Sequence, residues 1–320
     1  MESIGTWWLW AAFAAIVAVM LLIDLFAFGG GKQHRVTMKE AAAWSLVWVS
    51  LAMLFAGGLW WYLDSSQGRI VANEQTLAFV TGYLVEKSLA VDNVFVWMMI
   101  FSFFAIPLEL QRRVLLYGIA GAIVLRTVMI FAGSWLISEF HWILYLFGAF
   151  LVITGIKMVW FAEHDPDLNN NPLIRWIHKH YPVTDQLVGE RFLVVRDGVR
   201  MMTPLLLALV LVEISDVIFA VDSIPAIFAI TTDPFIVLTS NLFAILGLRA
   251  MYFLLADLGD RFELLKFGLA AILIFIGVKM LIVDWIQIPV MVSLAVVATI
   301  LVCAVFASLW YAARKRTAAS

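Results

Sequence analysis

Nine apolar stretches, each of twenty or more residues, divide this 320-residue chain: 7–28, 41–63, 76–101, 114–137, 142–161, 203–228, 235–256, 264–283 and 290–311. Each is long enough to cross a hydrocarbon core as a helix, the one single-segment structure that satisfies its own backbone in lipid. The expected fold is therefore all-α: a polytopic membrane protein with about nine transmembrane helices in a single transmembrane domain, 1–320. Composition agrees. Hydrophobic residues make up 64% and charged residues 14% of the chain, against roughly 25% charged in an ordinary soluble domain. Such a chain is not a soluble cytosolic enzyme, a disordered protein or a nucleic-acid binder. Its net charge of −2 sets up no global field, and its one cysteine, Cys303, supports neither a disulfide framework nor a thiolate metal cluster. The first stretch follows Glu2 rather than a basic segment and ends without a small-residue cleavage site, so it reads as a retained helix.

The basic residues set the orientation. Of 21 Lys and Arg, fifteen fall in segments on one side of the bilayer, Arg69 alone falls on the other, and five lie within spans. That asymmetry places the N-terminus outside and the C-terminus in the cytoplasm. Trp7, Trp8, Trp60, Trp61, Trp142, Trp160, Trp285 and Trp310 stand near span ends, where aromatic belts form. The one sizeable loop, 162–202, is cytoplasmic by this reading. It is expected to hold an irregular start at 164–172, a short surface helix at 173–180, and a hairpin turning at Arg196-Asp197-Gly198.

Two parts of the chain repeat each other. Glu86, three residues, then Ala90-Val91-Asp92-Asn93 in the third stretch matches Asp216, three residues, then Ala220-Val221-Asp222-Ser223 in the sixth. The fourth and seventh stretches each carry a Leu-Arg pair, ending at Arg126 and Arg249. The fifth and eighth share a Phe-Gly pair and a Gly-(Ile/Val)-Lys-Met run, at Gly155–Met158 and Gly277–Met280. Three landmarks recur in one order over about 76–161 and 203–283. A three-span unit repeated in one chain must insert upside down the second time. Inverted three-helix repeats are a transporter signature, with the substrate site near the midplane where the copies meet.

Five carboxylates lie inside the third and sixth stretches: Glu86, Asp92, Glu213, Asp216 and Asp222. Each costs about 2.5–3.5 kcal/mol at a helix centre. Lys87, Arg126 and Arg249 are available as counter-charges, which leaves at least two acids for cations or protons. Neither stretch holds a His or Cys, so with Asn93, Ser223 and backbone carbonyls the donor set is oxygen alone, which suits Mn²⁺, Mg²⁺ or Ca²⁺. The thirteen Met read as packing, and Lys157 and Lys279 as snorkelling from span ends. On an ideal helix Glu86 and Asn93 share a face, whereas Asp92 falls about 120° round from Glu86. Either the helix is broken locally or it sits centrally and presents two faces, and Pro225 favours a break in the sixth stretch. Asp24 is either a further ligand or an interfacial residue.

The blocks Glu86–Asn93 and Glu213-Ile214-Ser215-Asp216 through Asp222-Ser223-Ile224-Pro225 resemble those of the TerC family of integral membrane proteins, over about 38–288. The resemblance is strongest to an alkali-inducible branch linked to manganese export. It implies an architecture similar to the LysE-type transporter superfamily and an association with metal homeostasis and tellurite resistance. Carried over by motif, it implies Glu86, Asp92, Asn93, Glu213, Asp216, Asp222 and Ser223 as ion ligands. It also narrows the divalent cation to Mn²⁺, as transported ion rather than prosthetic group.

The expected function is a secondary transporter exporting divalent metal, most of all Mn²⁺, through an acidic midplane site with exchange for protons. The partners are then the metal ion and the lipid bilayer. The alternative is a membrane accessory or scaffold protein for metal loading or for tellurite and alkaline stress, docking through the 162–202 loop. No His-Glu-x-x-His or Gly-x-Ser-x-Gly occurs, and the chain is not expected to be an enzyme.

Overall fold

The computed structural model describes residues 3–29, 37–140, 142–160, 172–184, 186–196, 198–256 and 264–319. They form eleven helices and one hairpin in the order α1(Trp7–Gly29), α2(Met38–Ser66), α3(Arg69–Phe103), α4(Leu108–Glu139), α5(Ile143–Trp160), α6(Pro172–His180), β1(Leu193–Arg196), β2(Val199–Met202), α7(Pro204–Phe228), α8(Pro234–Leu246), α9(Leu248–Ala256), α10(Leu265–Leu281) and α11(Val290–Ala319).

The helices are apolar on the outside as well as within, unlike those of a soluble bundle, and their buried polar residues are set into an apolar core. On α4, Val124, Val128, Phe131 and Trp135 recur at helical spacing and are 63%, 62%, 46% and 61% exposed, while Gln111 and Arg126 on the opposite face are buried. Stripes of this kind on α2, α4, α7 and α11 make far more exposed apolar surface than water tolerates. The chain is an all-α polytopic membrane protein.

Each of the nine apolar stretches becomes a helix or a helix pair. Among the described residues six helices are long and apolar enough to cross a membrane, or seven if α8 and α9 count as one bent span, rather than nine. Outside that set, α3 carries Glu86, Lys87 and Asp92 close together and α10 has 17 residues.

Two expectations about helix continuity change. The seventh stretch is one span by sequence, yet the chain bends by 40° at Gly247. The bend is held from α3: Lys87 Nζ donates to the Ala244 carbonyl at 3.0 Å, at the negative end of α8. A Cβ on Gly247 would stand 2.8 Å from that nitrogen and 3.1 Å from Trp48 Cβ, so the residue must be small. Conversely, α7 does not break at Pro225. It runs on to Phe228, because a proline in the last turn removes one backbone bond where the ladder is ending anyway.

Helix α3 is the axis of the molecule, in contact with α2, α7, α8, α9, α10 and α11. It therefore presents two faces, which answers the geometric puzzle of its acids. Helices α5 and α10 make the most extensive pair. They meet through glycines, since a Cβ on Gly277 would stand 2.7 Å from the Gly148 carbonyl oxygen. At the other end of the sequence, Asp233 caps α8 by accepting from Phe235 N at 2.8 Å and also accepts from Ile4 N at 2.7 Å, which ties the N-terminus to that helix.

The connecting segment contains the expected short helix, α6, and the expected hairpin, with Arg196 opposite Val199. The hairpin leans on the start of α4, where Arg113 reaches Glu190 at 3.1 Å and lies over the Phe192 ring. The irregular start at 164–172 lies almost wholly, and Asp197 of the turn wholly, outside the described residues.

A candidate ion site between α3, α4, α5 and α7

The acids of α3 and α7 meet around one guanidinium. Arg126 of α4 is 1% exposed. Its Nη2 donates to Asp216 Oδ1 at 2.7 Å and its Nε to Asp216 Oδ2 at 3.1 Å, a two-point clamp. Its Nη1 donates to Glu86 Oε1 and reaches Ser223 Oγ at 3.3 Å and Asn241 Oδ1 at 3.5 Å. Asn93 Nδ2 completes the group, donating to Asp216 Oδ1 at 3.4 Å. Glu86, Asn93, Asp216 and Ser223 are all at most 2% exposed.

A cavity of about 480 Å³ opens on one side of this cluster. Its polar lining is Glu86, Asp92, Asn93, Arg126, Thr154, Lys157, Asp222 and Ser223; Leu89, Met158, Phe219 and Leu273 complete it. Thr154 Oγ1 donates to Asp222 Oδ1 at 3.2 Å. Lys266 lies within electrostatic reach of Asp92, and Lys157 within reach of Asp222. Two acceptors remain unpaired, Glu86 Oε2 and Asn93 Oδ1, both buried.

The seven expected ligands divide. Glu86, Asp92, Asn93, Asp222 and Ser223 share the cavity wall. Asp216 stands behind Arg126, and half-buried Glu213 packs against Gly121 of α4, outside the lining. Among the described residues no three His, Cys, Asp or Glu side chains converge closely enough to hold a metal ion. The Arg126 guanidinium bridges the α3 and α7 carboxylates Glu86 and Asp216.

The counter-charges also divide. Arg126 serves the acids; Lys87 serves the α8 carbonyl; Arg249 pairs with buried Asp24 of α1 at 3.2 Å, away from the cavity. Lys279 does not snorkel: it is buried and donates to Ser293 Oγ at 2.9 Å. Lys157 and Met158, assigned by sequence to the interface and to packing, both line the cavity. Sequence reasoning missed Thr154 and Asn241. The signal for Asn241 was a lone amide in an apolar run, while a single threonine in a span carries none.

A membrane protein with a buried Arg–carboxylate cluster beside a cavity is the class this geometry defines. The model of the "Integral membrane protein TerC family" matches residues 71–316, and the chain belongs to that family. It is 62% identical over 310 residues to the Escherichia coli (strain K12) protein described as "Putative membrane-bound redox modulator Alx", covering 97% of each chain. A protein of the same description from Photorhabdus laumondii is 60% identical over 317 residues, covering 99% of each. An uncharacterised membrane protein of Myxococcus xanthus is 49% identical over 307 residues, covering 96% of this chain and 93% of that one. No solved structure matches the chain.

Proposed function

We propose that the protein is a secondary transporter that exports divalent metal cations, Mn²⁺ first among them, across the bacterial inner membrane in exchange for protons. The observation that carries this reading is the cavity lined by Glu86, Asp92, Asn93, Asp222 and Ser223, in which two buried oxygens have no partner. Buried acceptors are normally satisfied. Oxygen-only donors favour a hard cation, and manganese within that class follows from the family resemblance.

In this reading nine spans cross the bilayer, with the N-terminus periplasmic and the C-terminus and the 162–202 loop cytoplasmic. Helices α3 and α10 span because their charges turn inward, Glu86 to Arg126 and Lys279 to Ser293. The segments 76–161 and 203–283 act as inverted repeats. Reciprocal contacts support that symmetry: Asn93 meets Asp216 while its counterpart Ser223 meets Glu86. In the same way Gly148 meets Gly277 while Gly155 approaches the carbonyl of Ala270. Contacts that survive exchange of the two copies are those of antiparallel helices about a two-fold axis. Rocking of one repeat against the other would expose the cavity to each side in turn. The relatives' description as redox modulators fits this reading with metal balance as the intermediary, because one cysteine offers no thiol pair.

The test is Mn²⁺ flux in proteoliposomes. Asp92→Asn and Asp222→Asn are each expected to abolish flux while leaving insertion and helicity intact. Flux unchanged in both variants, or none from the native protein, overturns the proposal.

A further inference from the structure

We infer that Arg126 is a tethered cation: its guanidinium fills the acidic site between transport events, and the metal ion binds by displacing it from Glu86. The inference rests on the transporter reading and adds a way for the unloaded site to cross the membrane.

An emptied carrier must return, and a cluster of carboxylates in apolar surroundings is costly unless something compensates it. Arg126 supplies that compensation from within the chain. Its donors engage Asp216, Glu86, Ser223 and Asn241 at once, contacts drawn from α3, α7 and α8. The grip is uneven. Asp216 is clamped at two points, and it lies outside the cavity lining. The guanidinium reaches Glu86 through Oε1 alone, and Oε2 is unpaired. The guanidinium is thus anchored to α7 on its far side and attached to α3 by one contact next to the cavity.

The acceptors left over are those a hard cation needs. Glu86 Oε2 and Asn93 Oδ1 are unpaired and buried at 0% and 1% exposure, on the wall that carries Asp92, Asp222 and Ser223. A dication arriving there attracts Glu86 and repels the guanidinium, so one change releases the other. Among the described residues no three carboxylates converge; in this mechanism the shell assembles when Arg126 withdraws. On the return stroke Arg126 then neutralises Glu86 and Asp216. The repeat-related Arg249 is tied to Asp24 on α1, so among the described residues Arg126 is the guanidinium that meets these acids.

A site filled by an internal competitor nine-tenths of the time binds its ligand about tenfold more weakly than the same site left open. The experiment is equilibrium Mn²⁺ binding to the full chain in lipid nanodiscs, in alkaline buffer so that protons do not replace the metal. Native protein is compared with Arg126→Gln and Arg126→Lys. The expected result is tighter Mn²⁺ binding by Arg126→Gln, by about tenfold. A smaller gain is expected for Arg126→Lys, which keeps the charge but loses the fork. In proteoliposomes the ratio of Mn²⁺–Mn²⁺ exchange to net efflux rises for Arg126→Gln, because return of the empty carrier is the step that suffers. A merely structural arginine would give weaker binding and an unchanged ratio. Native binding with equal or weaker binding by the folded variants overturns this inference alone; no Mn²⁺ binding by the native protein overturns the transporter reading with it. If Arg126→Gln does not fold, Arg126→Lys decides by the same sign.

Discussion

Neighbouring charges in sequence do different work in space, and Glu86 and Lys87 are the clearest case. Consecutive helix positions point about 100° apart. Glu86 therefore faces Arg126 of α4 while Lys87 faces the α8–α9 bend. Replacing Lys87 by Met leaves the Ala244 carbonyl without its side-chain donor, at a cost of about 1–3 kcal/mol. Thermal unfolding in detergent should show the loss without a comparable loss of Mn²⁺ affinity in the protein that remains folded. Thr154 is the opposite kind of residue. Its hydroxyl holds Asp222 at 3.2 Å, and Thr154→Val keeps the shape but removes the donor. A hydrogen bond of this kind contributes about 1 kcal/mol, so Mn²⁺ affinity should shift about fivefold with little change in unfolding temperature. Equilibrium binding and a melt on the same sample separate the two effects.

At the level of elements, the helices were legible from hydrophobic length, although among the described residues six or seven of them rather than nine are long and apolar enough to span. The close approach of α5 and α10 was not. A glycine in an apolar run marks either an indifferent position or a backbone contact, and the sequence does not distinguish them. Gly277 and Gly57 are such a pair. A Cβ on Gly277 meets the Gly148 carbonyl oxygen at 2.7 Å and Val152 N at 2.9 Å, whereas a Cβ on Gly57 meets nothing within 4 Å. Gly277→Leu should wedge the two helices apart, at about 1–3 kcal/mol or more, and lower the yield of monodisperse protein. Gly57→Ala should be neutral or stabilising by up to about 1 kcal/mol. Equal tolerance at both positions in size-exclusion profiles would refute the tight α5–α10 contact. The bend at Gly247 was hidden for a related reason, since the lysine that holds it lies on a helix far away in the chain.

For the molecule as a whole, topology and coupling are the quantities to measure. With Cys303 replaced by Ser, a cysteine at Ser66 should react with a membrane-impermeant maleimide added from the periplasmic side, and one at Arg196 only after the membrane is opened. Mn²⁺ movement in proteoliposomes should accelerate when an opposing proton gradient is imposed, and equal rates with and without it would remove proton exchange. The sequence by itself determined that the chain lives in a bilayer, which stretches become helices, and which acids are costly enough to need a purpose. Those follow from length and transfer energy, which are properties of each segment alone. Only the tertiary structure decided which cation meets which carboxylate. It put Arg126 between Glu86 and Asp216, sent Arg249 to Asp24, and left Glu213 outside the cavity. Pairing inside a bundle depends on which helix faces come together, and a one-dimensional spacing does not carry that information.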